Sequence, residues 1–236
     1  MDTKTPELSI FLPTYNEEGN IATTVKNVVA GASEYAEKWE LIIVDDGSTD
    51  STNKIALNLE ESNKNIRVIR HEKNQGYGAS LKTGLYSAKY KWISFIDSDG
   101  QFDFGEINKF LDKQKETEAD LVIGYYRKRR ASLAKVITSK IWEAVVFTLF
   151  GLRVRDVDCG FKLISKKVLE KIPYLESERG AFISSELLVK AKKSGFKIVE
   201  IPITHYPRLK GEGTGRKLAV IVESFIDLLR LWKKLK

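Results

Sequence analysis

Over the first 126 residues, short β-rich runs alternate with helical patterns. That alternation admits few folds: stacked strand-helix-strand units around a mainly parallel sheet flanked by helices. Strands are predicted at 8–13, 41–45, 66–70, 92–97 and 121–125, with helices at 21–36, 51–61, 79–89 and 104–116 between them. Four right-handed crossovers follow from that order. Asp50 and Ser51 suit N-cap positions, and Gly76 with Gly78 marks the loop that opens the third helix. Beyond Tyr126 the pattern changes to a long helix over 133–150, a strand over 161–164, helices over 166–171 and 185–194, and a strand over 197–202. This second half is expected to cover the sheet. A stretch with Gly211, Gly213 and Gly215 comes next. From 217 to 235, Leu218, Ile221, Val222, Phe225, Leu228, Leu229 and Trp232 recur at helical spacing between charged residues. The expected organisation is one α/β domain over 1–215, with halves 1–126 and 127–215, and a C-terminal amphipathic helix over 216–236.

Charge divides the chain in the same place. The whole carries +7, but the first 126 residues carry −7 and the remainder +14. The basic residues concentrate in 127–140, which holds six and no acid, and in 208–236. With no aromatic-rich RNA-binding signature, this distribution excludes nucleic acid as the expected partner. The single cysteine, Cys159, forms no internal disulfide, and no Cys/His pair has zinc-finger spacing. A buried small residue in a reducing compartment is the reading for it. The first nine residues lack the basic-then-apolar order of a signal peptide, and no apolar run reaches the ~18 residues of a membrane span.

In an open α/β sheet, ligands bind beyond the carboxyl ends of the strands. Here strand one ends in Pro13-Thr14-Tyr15-Asn16-Glu17-Glu18, strand two in Asp45-Asp46-Gly47-Ser48-Thr49-Asp50, and strand four in Asp97-Ser98-Asp99-Gly100-Gln101. Five or more carboxylates at one edge repel unless a cation lies among them. Hard oxygen ligands of this kind suit Mg²⁺ or Mn²⁺ that also holds a diphosphate. Each acid taken singly reads equally well as a helix cap or a solvated turn.

In order, SIFLPTYNEEGNI, LIIVDDGSTD, NQGYGASLKTGL and WISFIDSDGQ resemble the nucleotide-sugar-binding half of the family 2 glycosyltransferases, whose fold is the GT-A type. The resemblance implies that Pro13, Tyr15 and Glu17, with Asp45 or Asp46, line the nucleoside pocket. It implies further that Asp97 and Asp99 form the Asp-x-Asp that reaches ribose and metal, with Gln101 beside them. Lys82, on the helix after Gly78, is placed either to reach the donor diphosphate or to face water.

The stretches LFGLRVRDVDCGFKLISKKVL and GAFISSELLVKAKKSGFKIVEIPITHYPR resemble the dolichyl-phosphate mannose synthase-like branch, which transfers a sugar to a polyprenyl phosphate. By that resemblance Arg127 and Lys135 grip the acceptor phosphate, Ser139 supplies a hydroxyl one helical turn on, and Arg208 sits near the phosphates as part of the catalytic set with Asp97 and Asp99. Lys135 keeps the charge of an arginine without its bidentate fork. The expected activity is a metal-dependent, inverting transfer of a hexose from a nucleoside-diphosphate sugar to dolichyl or polyprenyl phosphate. Its expected place is peripheral, on the cytoplasmic face of a membrane or on a membrane-anchoring partner. Two rivals remain: a hydroxyl-acceptor transferase using Glu186 or an aspartate as base, and a non-catalytic nucleotide-sugar-binding subunit. His205 reads as a packing residue, and Trp142, Phe147 and Phe150 as core.

Overall fold

The computed structural model describes residues 5–126, 133–177, 182–208 and 218–235. The first half is built as β1 (Thr5–Thr14), α1 (Ile21–Tyr35), β2 (Ala36–Asp45), α2 (Thr52–Ser62), β3 (Ile66–Arg70), α3 (Tyr77–Ser87), β4 (Trp92–Phe95), a 3₁₀ turn (Phe104–Glu106), α4 (Ile107–Thr117) and β5 (Leu121–Tyr126). The second half adds α5 (Leu133–Phe150), β6 (Lys162–Ser165), α6 (Lys166–Lys171), α7 (Phe182–Lys193), β7 (Ile198–Ile203) and α8 (Leu218–Leu235). The alternating pattern of the sequence is therefore borne out as a mixed, mostly parallel α/β fold.

The sheet has seven strands in the order β3-β2-β1-β4-β6-β5-β7. β1 pairs in parallel with both β2 and β4, and β2 with β3. The second half does more than cover this sheet. β6 runs antiparallel between β4 and β5, and β7 extends the far edge parallel to β5. The connection from β4 to β5 thus leaps over the place that a later strand fills. Four-residue β6 (KLIS) is buried throughout, which is why so short a run belongs to the sheet interior.

The central strands are buried on both faces. Ile10 and Leu12 of β1 point into one core with Val25 and Val28 of α1, Phe110 of α4 and Phe161. Phe11, between them, points into the other with Phe95, Leu81 and Leu85 of α3, Phe182 and Leu187 of α7, Val146 of α5 and Leu228 of α8. Cys159 is fully buried, and burial pushes its thiol up to about 12. Phe150 is core, but Phe147 is 41% exposed, with the Arg153 guanidinium 5.0 Å from its ring centroid. Trp142 is partly buried against the second core and donates from Nε1 to Ser185 Oγ at 3.1 Å. His205 packs edge-on against Tyr126 and Phe102. On α8, Leu228 and Leu231 turn inward while Leu229 faces out at 52% exposure, so the buried stripe is narrower than the sequence spacing suggested.

One buried acid ties the sheet's first edge together. Glu40 on β2, 2% exposed, accepts from Ser9 Oγ (2.6 Å), Arg67 Nε (3.0 Å) and the backbone N–H of Lys89 (2.9 Å). Burial alone would raise its pKa, but these donors outweigh it and hold the carboxyl below its ordinary 4.5. A lowered folded-state pKa stabilises above the unfolded value, and that stability is lost as the pH falls through the folded value. Replacing Glu40→Ala should cost about 2–3 kcal/mol near neutral pH. In denaturant titrations the wild-type advantage over Glu40→Gln should shrink below pH 4.5.

Candidate active site

The parallel register of β1, β2 and β4 brings their carboxyl ends to one edge, where the loops after them are cross-laced. Asn16, at a left-handed φ of 54°, receives Thr49 N–H on Oδ1 (2.8 Å) and donates its own N–H to Ser48 Oγ (3.0 Å). The N–H of Glu17 reaches Thr52 Oγ1 at 2.8 Å. Asp50 caps α2 through Thr52 N–H (2.9 Å) and also receives Glu18 N–H (3.2 Å), whereas Ser51 makes no side-chain cap. Ser98 Oγ donates to the carbonyl of buried Pro13 at 2.9 Å, fastening the fourth strand's loop to the first.

This lacing gathers Glu17, Asp97 and Asp99. The guanidinium of Arg208 joins two of them: Nη1 lies 3.2 Å from Asp99 Oδ2, and Nη2 bonds Glu17 Oε1. Glu17 is 8% exposed, and burial raises its pKa despite Asn20 and Arg208. Asp97 is pushed up to about 7 by burial and then by the Asp99 charge, against the opposing pull of the Tyr77 hydrogen bond and Lys162. Gln101 sets the geometry of the second half here. Its Nε2 donates to Tyr206 carbonyl at 3.0 Å while its carbonyl receives Tyr206 N–H at 2.9 Å, so the chain leaving β7 is pinned beside the Asp97–Gln101 loop and delivers Arg208.

Two carboxylates suit a hard divalent cation, which typically takes one or two protein carboxylates and completes its shell from phosphate oxygens and water. Asp97 and Asp99 fit that role on their own chemistry, as two hard oxygen donors two residues apart, with burial first and then the Asp99 charge raising the pKa of Asp97. Among the described residues no group of three or more His, Cys, Asp or Glu forms an all-protein metal cage.

The other expected residues fall in different places. Asp45 is fully buried, with Oδ1 on Ser48 N–H at 3.0 Å; Oδ2 faces Arg70 Nε at 3.5 Å and makes no hydrogen bond among the described residues. Tyr15 is half-buried on the same loop as Glu17. Asp46 is spent on the chain: Oδ1 meets His71 Nδ1 (2.6 Å) and Gln75 N–H (2.9 Å), and Oδ2 takes Gly76 N–H (2.8 Å). Lys82 is not brought to the acids. Only 9% exposed, it sits 5.6 Å from the Tyr174 ring centroid and lines a cavity of about 370 Å³ with Gln75, Thr83 and Tyr86. Arg127 lies outside the described residues, and Lys135 and Ser139 lie on α5 with side chains outside them.

Three side-chain positions around Asp97 escaped the sequence reading. Tyr77 Oη donates to Asp97 Oδ1 at 2.8 Å. Lys162, fully buried on β6, bonds the Cys159 carbonyl and lies 5.4 Å from the Phe95 ring centroid, with burial lowering its pKa. Gly160 stands behind Asp97, where a Cβ would lie 2.4 Å from Oδ2. The glycines flanking Tyr77 and the DCGFK run were visible, but their convergence on one carboxylate was not.

A mixed α/β sheet with an acidic edge, crossed by an arginine from the second half, is the architecture of a GT-A glycosyltransferase. The chain belongs to glycosyl transferase family 2, whose profile matches residues 9–173. It is 31% identical over 241 residues to a dolichyl-phosphate beta-glucosyltransferase of Saccharomyces cerevisiae, covering 92% of this chain and 70% of that one. It is 28% identical to a dodecaprenyl-phosphate galacturonate synthase of Rhizobium johnstonii, covering 92% and 65%. The chain thus spans about two thirds of the length of these relatives. In fold it resembles glucosyl-3-phosphoglycerate synthase from Mycobacterium tuberculosis, a structure holding Mn²⁺, UDP and phosphoglyceric acid, with TM-score 0.73, 20% identity, and coverage of 96% of this chain and 78% of that one.

Gly160→Ala tests the geometry. The added methyl must displace the Asp97 carboxylate or the turn behind it, at about 1–3 kcal/mol of overpacking. Glycosyl transfer should fall at least tenfold with the protein still folded by circular dichroism; unchanged turnover would count against Asp97 as a ligand in this pose.

Proposed function

We propose that this chain transfers a hexose, with inversion, from a nucleoside-diphosphate sugar to dolichyl or polyprenyl phosphate, using Mg²⁺ or Mn²⁺. The observation that carries the reading is the meeting of Arg208 with Glu17 and Asp99: acids suited to a cation and a cation suited to a phosphate share one sheet edge. The phosphate-acceptor names of the yeast and Rhizobium proteins support it, as do Mn²⁺ and UDP in the mycobacterial neighbour.

Asp97 and Asp99 would hold the divalent cation, which when bound neutralises the diphosphate leaving group. Pro13, Tyr15, Glu17 and Asp45 are proposed for the nucleoside pocket; Asp45 is fully buried, with Oδ2 facing Arg70 Nε at 3.5 Å, so its part would be to back the pocket wall. In the transfer, an acceptor phosphate oxygen bonds to the anomeric carbon as the bond from that carbon to the diphosphate breaks. A phosphate monoester with a second pKa near 6 is already mostly dianionic, so no general base is required and the chain's task is to hold two anions in line. Arg208, Arg127 and Lys135, with Ser139, are proposed for the acceptor phosphate. The cavity position of Lys82 leaves a role at the donor diphosphate dependent on movement of that side chain or of Tyr174.

Glu186, named with an aspartate as the base of the hydroxyl-acceptor alternative, is committed elsewhere. Only 2% exposed, it takes the N–H groups of Glu176 and Ser177, each at 2.9 Å, and pairs with Lys190 at 2.6 Å. That arrangement argues against Glu186 as such a base.

Membrane contact is proposed through α5 and α8, where Ile141, Phe147, Ile226 and Leu229 are exposed near basic residues. Among the described residues no helix is long and apolar enough to cross a membrane. A peripheral position on the cytoplasmic face, directly or through an anchoring partner, suits this surface and the unpaired Cys159.

The test offers GDP-mannose, UDP-glucose and UDP-N-acetylglucosamine with a short-chain polyprenyl phosphate beside its free alcohol. Transfer to the phosphate alone is expected, abolished by chelator and by Asp99→Ala and restored by Mn²⁺ or Mg²⁺. Arg208→Ala and Lys135→Ala should weaken acceptor use strongly, while Glu186→Gln keeps more than about a tenth of the activity of the folded protein, a cut of about 1.4 kcal/mol on the barrier. Equal use of the alcohol, or full turnover in chelator, would overturn the reading.

A further inference from the structure

Asp97 is held from two sides, and the second-strand acid that the sequence places at the nucleoside lies at the start of one of them. We infer that Tyr77 is a positioning residue that fixes the Asp97 carboxylate, and that Asp46 acts through Tyr77 by setting the entry to α3. The first part rests on the 2.8 Å hydrogen bond from Tyr77 Oη to Asp97 Oδ1. The opposite oxygen of Asp97 faces Gly160, where even a methyl has no room. Between phenol and glycine the carboxylate has one seat.

The second part follows the backbone. Tyr77 is the first residue of α3, preceded by Gly76 at φ 104°, a conformation open to glycine. The N–H groups of Gln75 and Gly76 both end on Asp46. His71 bridges Asp46 to Thr83 Oγ1 (2.9 Å), a residue on α3 itself, so the loop is tied to the helix it opens. With both oxygens engaged, Asp46 aims the first turn of α3 and hence the phenol.

This inference rests on Asp97 as a cation ligand in the proposed reaction, and its measurements do not require an acceptor. Crystal structures of Tyr77→Phe and of the wild type should differ at Asp97, whose side chain leaves its seat or splits between two rotamers; the same single rotamer in both overturns the proposal. Mn²⁺ affinity in the presence of UDP, read by electron paramagnetic resonance, should weaken about 10- to 100-fold in Tyr77→Phe with the melting temperature little changed. Where transfer is measured, kcat should fall by a similar factor while KM for the acceptor holds. In a double-mutant cycle Asp46→Asn should add little to Tyr77→Phe. Additive losses would mean that Asp46 acts independently of Tyr77 and would overturn the path through it. A wild type that uses the alcohol acceptor would remove the proposed acceptor and leave the Asp97 measurements standing.

Discussion

Repulsion among carboxylates brought to one sheet edge is the constraint to which the rest of the molecule answers. Glu17 follows β1, and Asp97 and Asp99 follow β4, its parallel neighbour. Strand pairing therefore forces the acids together before any ligand is considered. The protein offsets the repulsion with a phenol on Asp97, an amide on Glu17, a buried ammonium nearby and a guanidinium across Glu17 and Asp99. What remains is a raised pKa on both Glu17 and Asp97, caused first by burial and only then by the neighbouring carboxylates.

Much of that compensation comes from the second half of the chain, and the topology explains how it arrives. β6 inserts antiparallel beside β4, which seats Lys162 and Gly160 against the strand that carries the Asp-x-Asp. β7 joins the far edge, and the chain leaving it turns back along Gln101 to present Arg208. The two halves of the chain are thus parts of one sheet. The charge split between them becomes a contact between opposite charges at its edge.

The buried pair Glu186–Lys190 does a different job. Through Glu176 and Ser177 it holds the segment before α7, and Ser177 in turn donates to Asp227 of α8 at 2.9 Å. An acid that could be read as a base is, in its surroundings, a splint between the segment before α7 and the C-terminal helix. Isolated charges in a helical pattern do not reveal this, because a catalytic and a structural carboxylate differ in their partners and not in their spacing.

The sequence by itself determined the alternation of elements, the five strands of the first half, the placement of acids at their carboxyl ends, the charge division near Tyr126 and the family. These follow from local periodicity, turn residues and contiguous motifs, all of which act over a few residues. It singled out Glu17, Asp97, Asp99 and Arg208 as candidates without showing that one guanidinium spans two of them. Only the tertiary structure decided that Asp46 bonds His71, Gln75 and Gly76, that Lys82 lines a cavity with Tyr174, that β6 lies inside the sheet, and that Tyr77 and Gly160 meet at Asp97. Each of those facts depends on which strands are neighbours and on which side chains already occupy the hydrogen-bonding atoms. Such partners lie up to 191 positions apart, as Glu17 and Arg208 do, and no local pattern along the chain records them.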